Sequence, residues 1–454
     1  MKAATDKRRS LTLSVISLGL PILVSELGHI ATGFADNMMV GRYATDALAS
    51  ASMVNNLFNI PYLACIGFAF GITPLVGMRF AQSNYKAVGS LLRNGIMVNL
   101  LFGLAVSAVM LVIYFCLDRL GQPDELLPII RPYFIINIVG IIPIALFNVF
   151  AQWSYGIKQT RIPMWITLIS NIINVAGNYV LIFGAFGAPE MGLTGAGIST
   201  LIARVFCPVA GCLIVARHSS YRKFFSAIKA SKAENRTARK LAATSLPVSL
   251  QMTLESASFS ISAIFIGWIG TVALASYQIA TIVSLLGFCL YYSMASSGAI
   301  LVANAAGRGD NAGMRRAAFA AYRVVIALAV IMSAVFLFAG PILIEAFTDD
   351  TAVIEYSLSL IPPLILYQLG DATQVTFANC LRGTANVMPM LWTAMVCYVV
   401  VGIPAAYIFA FPMGWGGPGI VYSFSVSLFL AAALYLFFFL RTTRRNATGT
   451  MHCQ

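Results

Sequence analysis

Apolar residues in this chain collect into twelve long runs, near residues 11–35, 47–77, 94–117, 131–154, 163–186, 193–216, 242–268, 272–303, 317–340, 353–379, 388–410 and 418–440. The polar gaps between them are short. Each run reaches the ~20 residues that a helix needs to cross the hydrocarbon of a bilayer. A helix satisfies its own backbone polar groups, which is the condition for lying in lipid. An all-α integral membrane protein with twelve transmembrane helices is therefore predicted. The first run follows Lys7, Arg8 and Arg9 and has the outline of a signal peptide. It lacks a small-residue cleavage site, and Glu26, His29 and Asp36 interrupt its apolar character, so it is read as a retained helix.

The pattern occurs twice. Leu20-Pro21 matches Leu246-Pro247, 226 residues further on. At the same offset Gly41 meets Gly267, Ala47-Leu48-Ala49-Ser50 meets Ala273-Leu274-Ala275-Ser276, and Pro163-Met164 meets Pro389-Met390. Gly192-x-x-Gly195-x-Gly197 matches Gly414-x-x-Gly417-x-Gly419 with the offset slipped to 222. Collinear matches across two halves imply a duplication. Six helices per half is an even number, so the two six-helix repeats are parallel, related by an axis along the membrane normal. The predicted organisation is an N-lobe over 1–216, a basic linker over 217–240, a C-lobe over 241–440 and a tail over 441–454. Two such bundles facing a central cleft suit an alternating-access transporter.

Composition agrees. Hydrophobic residues make up 59% and charged residues 10%, with a mean hydropathy of +0.83. Soluble domains carry about 25% charged residues. A soluble enzyme, a disordered chain and a disulfide-rich secreted domain are excluded. The net charge of +13 does not form a basic face for nucleic acid, because the Lys and Arg residues fall in the gaps. With the N-terminus inside, 25 of 29 lie on the inner side and only Arg42, Arg119 and Arg131 outside, with Arg204 inside a run. That bias places both termini in the cytoplasm. Seven of the 8 Cys lie in or beside apolar runs without a CxxC pair, which reads as apolar filler.

Four acids fall within or at the edge of the runs: Glu26, Asp36, Glu255 and Asp371. A charge at bilayer depth costs roughly 2.5–3.5 kcal/mol on insertion scales, so each is a functional candidate. Asp36 follows Pro21, a bend point, by 15 residues. It reads either as a carboxylate that binds a proton or cation, or as an interfacial residue reaching water. Asn174 and Asn178, at i and i+4, share a helix face and offer hard oxygen ligands for a sodium ion, with Thr200 as a further hydroxyl. The alternative is interhelical hydrogen bonding. Glu255 has Gln251 and Ser258 on its face, and Asp371 has Tyr367. They read as proton carriers or cation ligands, with Tyr367 offering a ring face to a cation, or as a buried polar pair. Glu26 has His29 one turn away as a possible partner. Arg204 is read as the sole basic residue within a span. Phe58, Tyr62, Phe288, Tyr291 and Tyr367 are candidates to line a cleft for flat lipophilic molecules, against a structural reading as core. No HExxH, GxSxG or nucleotide-binding motif is present, so no enzyme activity or cofactor is expected, and an ion gradient must supply the energy.

Taken together, Leu20-Pro21 with Asp36, Asn174 through Asn178-Tyr179, Gly187-Ala188-Pro189-Glu190-Met191-Gly192, Tyr367-Gln368 with Asp371, and Leu381-Arg382-Gly383 resemble the multidrug and toxic compound extrusion (MATE) family, in its NorM-like branch. The resemblance runs over all twelve helices. It implies two six-helix lobes in a V, in a bacterial inner membrane, acting as a monomer on cationic lipophilic drugs and dyes in exchange for sodium or protons. It implies an N-lobe ion site of Asp36, Asn174, Asn178 and Thr200, and a C-lobe cation site of Glu255, Asp371 and Tyr367. It further implies that Pro21 is a hinge and that Gln278, Phe288 and Asp350 lie near the substrate path. Glu26 departs from the family pattern, where a polar uncharged residue is expected. A lipid-linked saccharide flippase of the same superfamily is the rival reading. It would want a cationic cleft for a diphosphate, and four acids with one Arg argue against it.

Overall fold

The computed structural model describes residues 2–119, 123, 125–230 and 234–445. Asp124, residues 231–233 of the linker and most of the expected tail, 446–454, lie outside the described residues. The described chain is helical almost throughout. The helices are α1 (Lys2–Tyr43), α2 (Thr45–Ala81), α3 (Tyr85–Phe115), α4 (Leu127–Gly156), α5 (Arg161–Phe183), α6 (Gly192–Arg217), α7 (Ser219–Ala230), α8 (Asn235–Ile269), α9 (Thr271–Gly307), α10 (Asn311–Glu345), α11 (Thr351–Gly383), α12 (Met388–Ala410) and α13 (Gly416–Arg445). All but α7 are long and apolar enough to cross a membrane, which makes twelve spans.

The helices outrun the apolar runs. α1 continues to Tyr43, past the run that ends near 35. Asp36 is thus two turns inside a helix, not at its end. Arg382 falls in the gap after the run that ends near 379; it lies in the last turn of α11 and is only 5% exposed. Arg204 is therefore not the only arginine within a span, because α11 extends beyond its apolar run.

Packing divides the chain into two units, residues 24–249 and residues 1–23 with 250–454. Each boundary falls two residues after a proline, Pro21 in α1 and Pro247 in α8, and the two boundaries are themselves 226 positions apart. The duplication seen in the sequence is thus also a property of the packing. The paired glycine motifs behave alike. Gly192 and Gly414, which open the two copies, both take left-handed backbone conformations, with φ of +54° and +71°. At Gly192 a Cβ would sit 2.6 Å from the Tyr43 ring, so the close approach of α1 also requires glycine.

Within the first of these units, the short α7 lies against α3 and α4 by burying Tyr221 and Phe224. Tyr221 donates to Ser154 Oγ at 3.0 Å, and its ring stacks on Trp153. Burial pushes the Tyr221 phenol up to about 12, so it stays a donor at neutral pH.

Candidate functional site

In the unit formed by residues 1–23 and 250–454, two acids from different helices sit in one polar cluster. Glu255, on α8, is half-buried, and its carboxylate is surrounded by donors. Gln251 Nε2, one turn earlier, donates to Oε2 at 2.7 Å. The Tyr398 hydroxyl donates to Oε1 at 3.1 Å, and Gln374 Nε2 lies 3.4 Å from the same oxygen. Gln374 Nε2 also donates to the Tyr398 oxygen at 2.7 Å, which closes a triangle. Asp371, on α11, is 3% exposed and within electrostatic reach of Glu255, Tyr367, Tyr291 and Tyr398.

The rest of the cluster is unusually short of partners. Among the described residues Asp371 Oδ2, Gln374 Oε1, the Tyr291 hydroxyl and both ends of the Gln368 amide are buried without a hydrogen bond. A buried polar atom without a partner costs roughly 1–3 kcal/mol. Several of them in one place make the cluster a candidate ligand site. Oxygen atoms dominate the set, which suits a proton or a hard cation such as sodium. Tyr367 lies edge-on to Phe259 and Phe424, with ring centroids 6.4 and 6.3 Å away.

Tyr398 stands on a local irregularity. Residues Met395–Gly402 of α12 are wound as a π-helix. Such turns are rare and frequently found at functional sites. Ser258, one turn after Glu255, donates to the Tyr398 carbonyl at 3.3 Å and so ties the wide turn to α8. Sequence reasoning missed Tyr398 and Gln374. The second was within reach: it follows Asp371 by three residues and shares its face. The first carried no signal, because an apolar run does not reveal a change of helical register.

In the other unit Asp36 is half-buried, and its Oδ1 accepts from Asn178 Nδ2 at 2.5 Å. Asn174 Nδ2 donates to Thr200 Oγ1 at 3.0 Å. The Oδ1 atoms of Asn174 and Asn178 are buried without partners among the described residues. The four residues expected to form an N-lobe site are thus two bonded pairs side by side on α1, α5 and α6. Arg204 Nη1 donates to the Tyr62 hydroxyl at 2.7 Å and to Asn137 Oδ1 at 3.2 Å, with the guanidinium 4.8 Å above the Tyr62 ring. Glu26 and His29 form no ion pair; among the described residues the ion pairs are Arg131–Asp118 and Arg316–Asp310.

Other expected residues lie apart. Asp350 caps α11, accepting from the backbone of Ala352 at 2.9 Å and of Val353 at 3.5 Å. Gln278 is exposed on α9, and Phe288 stacks on Tyr292 at 5.7 Å. None of the three is bonded to the Glu255–Asp371 cluster. Pro21 is buried within the continuous α1. Phe58 is fully buried against Phe134, a core position.

The family model MatE matches residues 21–180 and again 247–408. Two relatives carry the name "Probable multidrug resistance protein NorM". That of Rhizobium meliloti is 28% identical over 94% of this chain and 93% of its own length. That of Bradyrhizobium diazoefficiens is 28% identical over 95% and 94%. Among solved structures, a point mutant of a MATE protein superposes with a TM-score of 0.87 at 15% identity over 97% of each chain. The eukaryotic MATE transporter AtDTX14 superposes at 0.85, with 18% identity over 97% of this chain and 99% of its own. At these identities the structures speak for the fold.

Proposed function

The chain belongs to the MatE family of membrane transporters, and from that premise we propose that it exports cationic lipophilic compounds in exchange for sodium or protons. It is a transporter and not an enzyme. The observation that carries the proposal is Asp371: a carboxylate 3% exposed, with one oxygen lacking any partner among the described residues, within electrostatic reach of a second carboxylate, Glu255.

Two acids, Asp371 buried and Glu255 half-buried, with no ion pair among the described residues, bind either one cation or another. When the coupling ion sits at Glu255 and Asp371, the negative charge that holds a cationic drug is neutralised, and the drug leaves. When the drug binds from the other side, it displaces the ion. Exchange follows from this competition, since without differential binding neither flux would drive the other. Tyr367 supplies a ring face to the cation. Asp36 with Asn174, Asn178 and Thr200 makes a second, N-lobe ion site in this scheme, and Pro21 is the bend point of α1. The excess of Lys and Arg on one side supports placing both termini in the cytoplasm, with the protein in a bacterial inner membrane.

The test is ethidium efflux from proteoliposomes with a sodium gradient and a pH gradient imposed separately, for the wild type and Asp371→Asn. Efflux driven by either gradient and lost in the variant supports exchange at the C-lobe acids. Efflux that persists in Asp371→Asn removes them from the mechanism.

A further inference from the structure

Most of the chain between α6 and α8 forms α7, and α7 is fixed to the ends of two spans, the first turns of α3 and the last turns of α4. Phe224 meets the Tyr85 ring at 5.4 Å, and Tyr221 meets the Phe150 ring at 6.0 Å. At the crossing point α3 carries Gly89, where a Cβ would come within 2.8 Å of Ile228 N, so the two backbones touch. Beyond α7, Glu234 N donates to Asn94 Oδ1 of α3 at 3.0 Å. Span ends lie at a membrane face, so α7 is held at that face.

The same stretch is strongly basic. Residues 217–240 hold eight Lys and Arg against one acid, Glu234. That acid serves its own helix: its Oε2 accepts from Thr237 Oγ1 at 2.9 Å. Arg217, Arg222, Arg236, Arg239 and Lys240 are exposed and form no ion pair among the described residues. On α7 the two sides differ. Tyr221 and Phe224 are buried, while Arg222 and Phe225, the next residue after each, are exposed, Phe225 to 39%. Arg222 and Phe225 stand one turn apart, so a cation and a bare aromatic ring share the outer side. The charge bias that orients a chain needs only that Lys and Arg lie in the loop. It needs neither a packed helix nor an exposed ring among the cations.

We propose that the exposed side of α7, with the start of α8, binds the headgroups of anionic phospholipids. A helix with an aromatic residue at its apolar edge and cations beyond it has the composition that lies in a membrane interface. Phosphate oxygens accept charge-assisted hydrogen bonds from arginine. Each cation near an anionic surface raises the affinity for it about fivefold. Because α7 is fixed to α3 and α4 before any lipid arrives, its backbone is not ordered at the expense of binding. The place at the span ends and the bare ring of Phe225 favour lipid over a soluble acidic partner, which needs neither. Lipid binding at this face is independent of which compounds the protein moves.

Phe225→Trp places a fluorescent reporter on this face, and its emission is obtained by subtracting that of the same protein without it, which carries five Trp. The full chain is reconstituted in bilayers holding increasing fractions of brominated phosphatidylglycerol or brominated phosphatidylcholine, whose bromines quench a tryptophan in contact. The readout is the ratio of the two lipid fractions at half-quenching. The anionic lipid is expected to quench at a fraction roughly tenfold lower, and Arg222→Gln to narrow that gap by about fivefold. Arg222→Lys keeps the gap, and raised salt narrows it, because exposed charges are screened. Equal quenching by the two lipids at low salt overturns the proposal. So does a gap unchanged in both Arg222→Gln and the double variant Arg222→Gln with Arg239→Gln. Quenching by neither lipid places the face in water and overturns it as well, in favour of a soluble acidic partner.

Discussion

The Tyr398 hydroxyl lies 3.1 Å from Oε1 of Glu255, across 143 positions of sequence. The contact joins α8 to the π-helical turn of α12, and Gln374 of α11 bonds to both partners. Three helices thus share one carboxylate. A shift of any of them changes how Glu255 meets a cation.

Tyr398→Phe removes that donor and keeps the ring. One hydrogen bond to a charged group is worth about 1.5–3 kcal/mol, or roughly ten- to a hundredfold in affinity. The expected outcome is a rise of that order in the half-saturating coupling-ion concentration, with the maximal rate less affected. It is measured as drug efflux against imposed ion concentration. An unaltered ion dependence would show that Glu255 does not need the hydroxyl.

Asp371→Asn and Glu255→Gln each keep the side-chain volume and remove a charge. Both are expected to abolish ion-driven efflux while the protein still reaches the membrane, as read by dye efflux beside an expression blot. Full efflux in both would sink the exchange scheme.

Asp36→Asn retains a group that can pair with Asn178 but removes the N-lobe charge. It is expected to slow efflux severalfold. Asn178→Ala, which strips Asp36 of its 2.5 Å partner, should reproduce part of that effect. If only thermal stability drops and efflux per folded molecule holds, the pair is interhelical glue.

Asp350 acts as a helix cap, so Asp350→Ala should lower the stability of α11 by about 1 kcal/mol. Thermal unfolding in detergent reports it. A loss of drug affinity at unchanged stability would return Asp350 to the substrate path.

Gly192→Ala and Gly414→Ala separate strain from packing. Both force a left-handed conformation at a cost of about 1–2 kcal/mol. Only Gly192 also meets Tyr43, at 2.6 Å, whereas Gly414 has nothing within 4 Å. Gly192→Ala should therefore be the more destabilising in the same unfolding experiment.

Much of this protein is determined by its sequence alone. Twelve spans, the duplication and the acids within the spans follow from the order of apolar and charged residues, because a bilayer sorts them by position along the chain. The Asn174–Asn178 face followed from helical spacing in the same way. Helix ends did not, since helices continue through polar residues once neighbours bury them, as Arg382 in α11 shows. Only the tertiary structure decided that Tyr398 and Gln374 meet Glu255 and that Arg204 donates to Tyr62. Such meetings depend on helix register and packing over more than a hundred positions, and local sequence carries no record of either.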